Sequence, residues 1–303
     1  MMNGIIVIDK EPGFTSHDVV AKMRGICGQR KIGHTGTLDP MATGVLPVCL
    51  GSATKLCDML ADRDKEYVAE LLLGVETDTQ DVTGQILARR PVEVDEGRVR
   101  GAADSFLGLY MQVPPMYSAL KVDGKKLYEL ARAGKEVERK ARPVQIHELE
   151  ILECSLPVVR MRVVCSKGTY IRTLCADMGE RLGCGGAMQS LRRTRVGQFS
   201  IEDACTLGRL QQWKDQGGPG LSQALRPVDS VFTDCPALHV RESGLRLLDN
   251  GNAVAPGQTA EGEVHAGGSW VRMYRPDGSF AGIYAYEPDR EWYRPVKMFL
   301  EKE

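Results

Sequence analysis

The chain has 303 residues, 43% of them hydrophobic and 26% charged, with a formal net charge of -1. This size predicts one large domain plus a small one, and the composition excludes a disordered, fibrous or uniformly basic chain. No apolar run approaches the ~20 residues that cross a bilayer, and Met1 to Ile8 lacks the basic flank of a signal peptide, so a cytoplasmic protein is expected.

In chain order, Gly4-Ile5-Ile6-Val7-Ile8 predicts a strand that stops at Lys10-Glu11-Pro12-Gly13, and Ser16 is placed as the N-cap of a helix over Asp18 to Ile26. The stretch Gly33-His34-Thr35-Gly36-Thr37-Leu38-Asp39-Pro40-Met41-Ala42-Thr43-Gly44-Val45-Leu46-Pro47 follows. Its three glycines and two prolines free φ at some positions and fix it at others. That excludes a regular helix or central strand and predicts a shaped loop. Asp39 precedes Pro40, which biases it to extended geometry and presents the carboxylate from a fixed backbone. Taken alone, Asp39 is equally an Asx-turn residue satisfying its own loop.

Tyr67 to Leu73 and Val158 to Cys165 alternate as strands do. Thr169 to Leu182 puts Ile171, Leu174, Cys175 and Met178 at helical spacing and ends at Gly183-Cys184-Gly185-Gly186. Gly217-Gly218-Pro219-Gly220 reads as loop, and after Asp234-Cys235-Pro236 the runs Trp270 to Tyr274 and Phe280 to Tyr286 predict a small β domain. Strands outnumber helices and are joined by hairpin-length turns, which predicts an α+β fold on a mixed or antiparallel sheet.

Nine cysteines without a C-x-x-C pair suggest free thiols, and five histidines with no ligand spacing leave no constellation for a metal; no metal is expected. There is no phosphate-cradling G-x-x-x-x-G-K-[ST] loop, and no second carboxylate is expected beside Asp39. The near-neutral total conceals two basic windows: Lys121 to Arg142 carries eight Lys or Arg against four acids, and Arg160 to Arg195 eight against two. Such windows are either solvated faces or surfaces for a phosphate backbone.

The signature Gly33 to Pro47, continued through Val48-Cys49-Leu50-Gly51-Ser52-Ala53-Thr54-Lys55, resembles that of the pseudouridine synthases, most closely the bacterial tRNA pseudouridine-55 synthase family. Ile8-Asp9-Lys10-Glu11-Pro12-Gly13-Phe14-Thr15-Ser16, Lys65-Glu66-Tyr67 and Ser166-Lys167-Gly168-Thr169-Tyr170-Ile171-Arg172-Thr173-Leu174 agree with it in the family's order. The likeness covers residues 1 to about 230. It implies a central, mainly antiparallel sheet with flanking helices, a catalytic domain over 1–235 with a basic thumb-like insertion at about 110–142, and a PUA-like RNA-binding domain over 236–303.

The resemblance further implies isomerisation of uridine to pseudouridine at position 55 in the T-loop of tRNA, acting on the T-arm with no cofactor; a monomer is expected because one RNA hairpin fits one cleft. Asp39 would be the nucleophile, Arg172 its ion-pair partner, and Tyr67 a platform for the target uracil with a role in proton transfer. His34 would enter the space left by the flipped nucleotide, Lys10 would brace the catalytic loop, and Leu191 and Tyr170 would contact the base. Arg192, Arg193 and Arg195, with the insertion, would meet the RNA backbone. Plain alternatives are core packing for Leu191, packing at the sheet edge for Tyr67, a loop hydrogen bond for His34, a phosphate or surface contact for Arg172, and an ordinary surface lysine for Lys10. Two functional alternatives stand beside the main one, a synthase for another RNA and a tRNA-folding chaperone.

Overall fold

The structure is a computed structural model that describes residues 1–122 and 124–300. It opens with strand β1 (Gly4–Lys10), helix α1 (Ser16–Cys27), strands β2 (Ile32–His34) and β3 (Thr43–Leu50), the short helix α2 (Cys57–Ala61) and strand β4 (Lys65–Leu73). The cap of α1 is Thr15 rather than Ser16: the Thr15 side chain accepts from the Asp18 N–H while Asp18 accepts in return from Thr15. Ser16 is instead buried, and its hydroxyl accepts the Leu38 N–H at 2.9 Å, which ties the helix start to the loop carrying Asp39.

A small hairpin, β5 (Val75–Thr77) and β6 (Ile86–Arg89), leads to helix α3 (Glu96–Asp104) and strand β7 (Gly108–Gln112). The basic insertion then holds a minimal ribbon, β8 (Lys121–Val122) and β9 (Lys125–Lys126), and helix α4 (Leu127–Arg132). Strands β10 (Arg142–Ser155) and β11 (Val158–Cys165), helix α5 (Ile171–Arg181), strands β12 (Gly186–Val196) and β13 (Phe199–Ser200), and helices α6 (Leu207–Gln216) and α7 (Gly220–Ala224) follow.

The central sheet has nine strands, in the order β1-β3-β12-β4-β11-β10-β7, with β2 beside β3 and β13 beside β12. Every pairing is antiparallel except β3 with β12. The fold is therefore α+β on a mainly antiparallel sheet. In β4, Lys65, Tyr67, Ala69, Leu71 and Leu73 are buried while the residues between them are not. The face carrying Tyr67 packs with α3 and α5 into one core that includes Phe106, Met161, Leu174 and Met178. On the β1–β3 side, α1 and α6 cover Ile6, Ile8, Leu46 and Val48.

Half of the expected loop is in fact strand. Both β2 and β3 lie within the glycine- and proline-rich signature, and Pro47 sits inside β3. The Pro47 carbonyl accepts the Thr35 N–H at 3.2 Å, so the backbone polar groups of this residue point away from β1. β12 pairs only with Thr43 and Gly44, and β2 ends with His34 opposite Val48, so the missing N–H falls outside both ladders. At Gly44 the backbone has φ +101°, and an added Cβ would lie 2.1 Å from the Arg193 carbonyl oxygen. Only glycine permits this close approach of β3 and β12.

The last segment comprises strand β14 (Ala237–His239), helix α8 (Glu242–Asp249) and strands β15 (Trp270–Tyr274), β16 (Phe280–Glu287) and β17 (Trp292–Met298), which form a separate four-stranded sheet. It has its own core, with Leu238, Val271, Met273, Tyr284 and Tyr293. Phe280, Ile283 and Phe299 turn the other way and join Ile5, Val231 and Phe232 in a second core that fastens this unit to the first.

Candidate active site

The loop from Thr35 to Ala42 is held by two buried cations bonded to its backbone oxygens. Lys10, fully buried at the end of β1, donates through Nζ to the carbonyls of Ala42 (2.6 Å), Pro40 (3.0 Å) and Glu11 (3.1 Å). Arg193, 1% exposed, donates to the carbonyls of Val45 (2.7 Å), Gly36 (3.3 Å) and Thr37 (3.5 Å). Burial lowers the Lys10 pKa to about 8, with the charge of Asp39 acting in the opposite direction. Lys10 thus ties three carbonyls of the loop and its approach to one ammonium. Arg193 does not face outward as expected of an RNA-backbone contact. It is paired opposite Tyr67 on the buried face of the sheet, where its fork of donors matches several carbonyls at once.

Strand alternation separates the three arginines of β12. Arg192 lies opposite Val68 and Arg195 opposite Glu66, on the face away from Tyr67. Arg192 pairs with Asp9 at 2.9 Å and Arg195 with Glu66 at 3.6 Å. Neither is brought to Asp39. Leu191, opposite Ala69, shares the face of Tyr67 and packs half-buried against its core.

Asp39 meets Arg172 across the cleft. The Arg172 Nε lies 2.9 Å from Asp39 Oδ2 and Nη2 lies 3.4 Å from Oδ1, a two-pronged pairing. Arg172 stands in the first turn of α5, is 6% exposed, and also donates to the carbonyls of Thr79 (3.1 Å) and Tyr117 (2.8 Å). The Tyr117 contact joins the ion pair to the root of the basic insertion.

A second carboxylate is present, contrary to expectation. Asp81 Oδ2 lies 3.8 Å from Arg172 Nη1, and Asp81 Oδ1 accepts from the Thr83 N–H (2.9 Å), Thr83 Oγ1 (2.5 Å) and Thr79 Oγ1 (2.9 Å). The signal was available in Thr77-Asp78-Thr79-Gln80-Asp81-Val82-Thr83-Gly84, a run of turn formers too long for a plain hairpin tip. What sequence lacks is the fold-back that brings this turn beside Met188 of β12.

The electrostatics of Asp39 are mixed, although its partner is a guanidinium. Burial pushes the carboxyl above its ordinary value and Asp81 adds to this, while Arg172 and Lys10 pull it down without cancelling the rise. Tyr67 is 8% exposed, and burial raises its pKa, so the hydroxyl remains a protonated phenol at neutral pH. His34 accepts the Gly36 N–H through Nδ1 at 3.3 Å, and burial, His17 and Arg193 lower its pKa. The ring is therefore neutral, with its proton on Nε2; the His17 ring crosses it edge-on at 5.3 Å. Tyr170 caps α5, with its backbone N–H and carbonyl both bonded to the buried Gln112 side chain at 2.8 and 3.0 Å.

Among the described residues, no three metal-ligating side chains cluster, and no helix is long and apolar enough to cross a membrane. What the site can do is hold a carboxylate near the Tyr67 ring, with a guanidinium fixing its direction.

Residues 24–171 match the profile of the TruB family pseudouridylate synthase (N terminal domain), and residues 172–233 match that of the tRNA pseudouridylate synthase B C-terminal domain. The chain is similar to the tRNA pseudouridine synthase B of Lachnoclostridium phytofermentans, 50% identical over 310 residues that cover 99% of this chain and 100% of the relative. That of Alkaliphilus oremlandii is 49% identical over 305 residues, covering 100% of both. Among solved structures, a chain of an H/ACA RNP bound to a substrate RNA containing 2'-deoxyuridine aligns with a TM-score of 0.73 at 26% identity, over 99% of this chain and 86% of that one.

Proposed function

The chain belongs to the TruB family of pseudouridylate synthases, and on that premise we propose that it isomerises uridine to pseudouridine at position 55 in the T-loop of tRNA, with Asp39 as nucleophile. The observation that carries this reading is the two-pronged ion pair between Arg172 and Asp39, on a loop clamped by Lys10 and Arg193. The reaction replaces the N1–C1′ bond by a C5–C1′ bond. A proton leaves C5 and one is taken up at N1, so no oxidant or group donor is consumed.

The target nucleotide must leave its stack to reach Asp39. Asp39 then attacks either C1′ of the ribose or C6 of the base, and Arg172 fixes the carboxylate's direction and favours its charged form against burial and Asp81. Tyr67 supplies the face on which the uracil stacks, with Leu191 and Tyr170 around the base. The Tyr67 hydroxyl, a neutral phenol in the free site and not a standing phenolate, takes the C5 proton only as it passes its own proton on to water. Neutral His34 fills the gap left by the flipped nucleotide without adding charge. We assign residues 1–235 to the catalytic unit, the basic insertion to phosphate contact, and 236–303 to a PUA-like RNA-binding unit; Arg192 and Arg195 add phosphate contacts at the outer face.

The test is incubation with unmodified tRNA transcript, mapping pseudouridine by carbodiimide-blocked primer extension, alongside Asp39→Asn. A stop at position 55 with the native protein alone is expected. Equal stops with both proteins would remove Asp39 from the chemistry, and a stop elsewhere would transfer the activity to another RNA site.

A further inference from the structure

The catalytic loop hides its apolar side chains with one exception. Leu38 and Ala42 are 3% and 2% exposed, whereas Met41, two residues beyond Asp39, is 61% exposed. Loose backbone does not account for this. Lys10 Nζ binds the carbonyls on both sides of Met41, those of Pro40 and Ala42; the Pro40 carbonyl also accepts the Gly13 N–H at 2.9 Å, and the Ala42 N–H donates to the Asp39 carbonyl at 3.1 Å. The thioether is therefore presented to solvent from a fixed tip beside the carboxylate.

Across Arg172 the arrangement recurs. Val82 directly follows Asp81, is 44% exposed, and has its backbone N–H bonded to the Met188 carbonyl at 3.0 Å. Single exposed apolar residues are ordinary. Here, two of them stand on anchored backbone, each within two residues of a carboxylate facing the same guanidinium, at the place where a nucleotide would enter.

We infer that Met41 and Val82 are apolar lips of the cleft that pack on the nucleobases flanking the target uridine once it has been drawn out of its stack. This rests on the reading of the cleft as a uridine-isomerising site. Removing one base exposes the flat faces of its neighbours, and a polarisable thioether is a suitable partner for such a face. Both lips position substrate and take no part in bond making. Because both stand in solvent, replacing them leaves the fold intact, which separates their role from that of the buried core of the loop.

The test is a cycle between protein and RNA changes. On a T-arm hairpin, Met41→Gln is expected to lower kcat/KM about 3- to 10-fold, the range of sulfur–aromatic contacts. Met41→Leu should restore most of the loss, and Val82→Asn should act in the same sense. On a hairpin with abasic sites flanking the target, native protein and Met41→Gln should react equally, with the thermal midpoint unchanged throughout. Native-like kcat/KM for Met41→Gln on intact RNA, or the same loss on intact and abasic RNA, would overturn the inference. Absence of pseudouridine with native protein would instead remove the reading of the cleft on which it rests.

Discussion

The chain uses cations in two opposite ways. Around the loop that carries Asp39, Lys10 and Arg193 are 0% and 1% exposed and donate to backbone carbonyls, so their charge acts inward as scaffolding. In the insertion between β7 and β10, Lys125, Arg132, Lys135 and Lys140 are exposed, the first two on short elements and the last two in the loop that follows, so their charge acts outward. Charge in a sequence is therefore ambiguous until burial is known. A buried guanidinium surrounded by carbonyls orders a loop, whereas a solvated ammonium offers a phosphate a counter-charge.

The largest effects should come from breaking the scaffold. Arg193→Met leaves three carbonyls without their donor, which is expected to cost about 2–4 kcal/mol in unfolding free energy. Misplacing Asp39 by ~1 Å should lower the single-turnover rate by about 10²-fold even where the fold survives. Lys10→Met should do the same at smaller cost in stability, because its ammonium is already penalised by burial. Denaturant titration and single-turnover kinetics measure both; rates within 2-fold of native for either variant would show that the loop keeps its shape without its cation.

The second contrast is between the two charges on Asp39 itself. Because burial and Asp81 raise its pKa and the proposed chemistry needs the anion, activity is expected to fall as pH drops through a value above the ordinary carboxylate range of ~4. Asp81→Asn removes one upward influence and should move that acid limb to lower pH, whereas Arg172→Gln should move it higher. A kcat/KM profile whose acid limb stays put in both variants would separate that limb from Asp39. The sign for Lys10 is the reverse of a paired lysine's. Its folded pKa of about 8 lies below the unfolded value of 10.5, so the unfolded chain binds more protons between these limits and stability gains as pH rises across them. Lys65, lowered likewise to about 8, adds to the same trend.

Much of this architecture was legible from residues. The alternation of β4 and β11, the helical face of α5, and the loop that presents Asp39 follow from periodicity and from glycine and proline chemistry. The pairing of Asp39 with Arg172 was implied by family likeness, not by spacing, since 133 residues separate them. What sequence did not reveal depends on long-range register. Pro47 is tolerated in a strand because its nitrogen points into a gap between two neighbours, Arg193 turns inward while Arg192 and Arg195 turn outward, and Asp81 arrives beside Arg172 through a fold-back onto β12. The Thr15 cap is a local matter: both Thr15 and Ser16 are good capping residues, and Ser16 was taken by Leu38.

The smallest effects belong to the outward cations, where single replacements in the insertion should change RNA affinity by only a few-fold. The direct test of the two uses of charge is the salt dependence of RNA affinity, with the saturating single-turnover rate, for the triple variant Lys125→Gln/Lys126→Gln/Arg132→Gln. A log Kd against log salt slope shallower by about 1 to 2 units and an unchanged saturating rate are expected. An unchanged slope with a rate as depressed as that of Lys10→Met would contradict it, since the insertion would then be scaffolding as well.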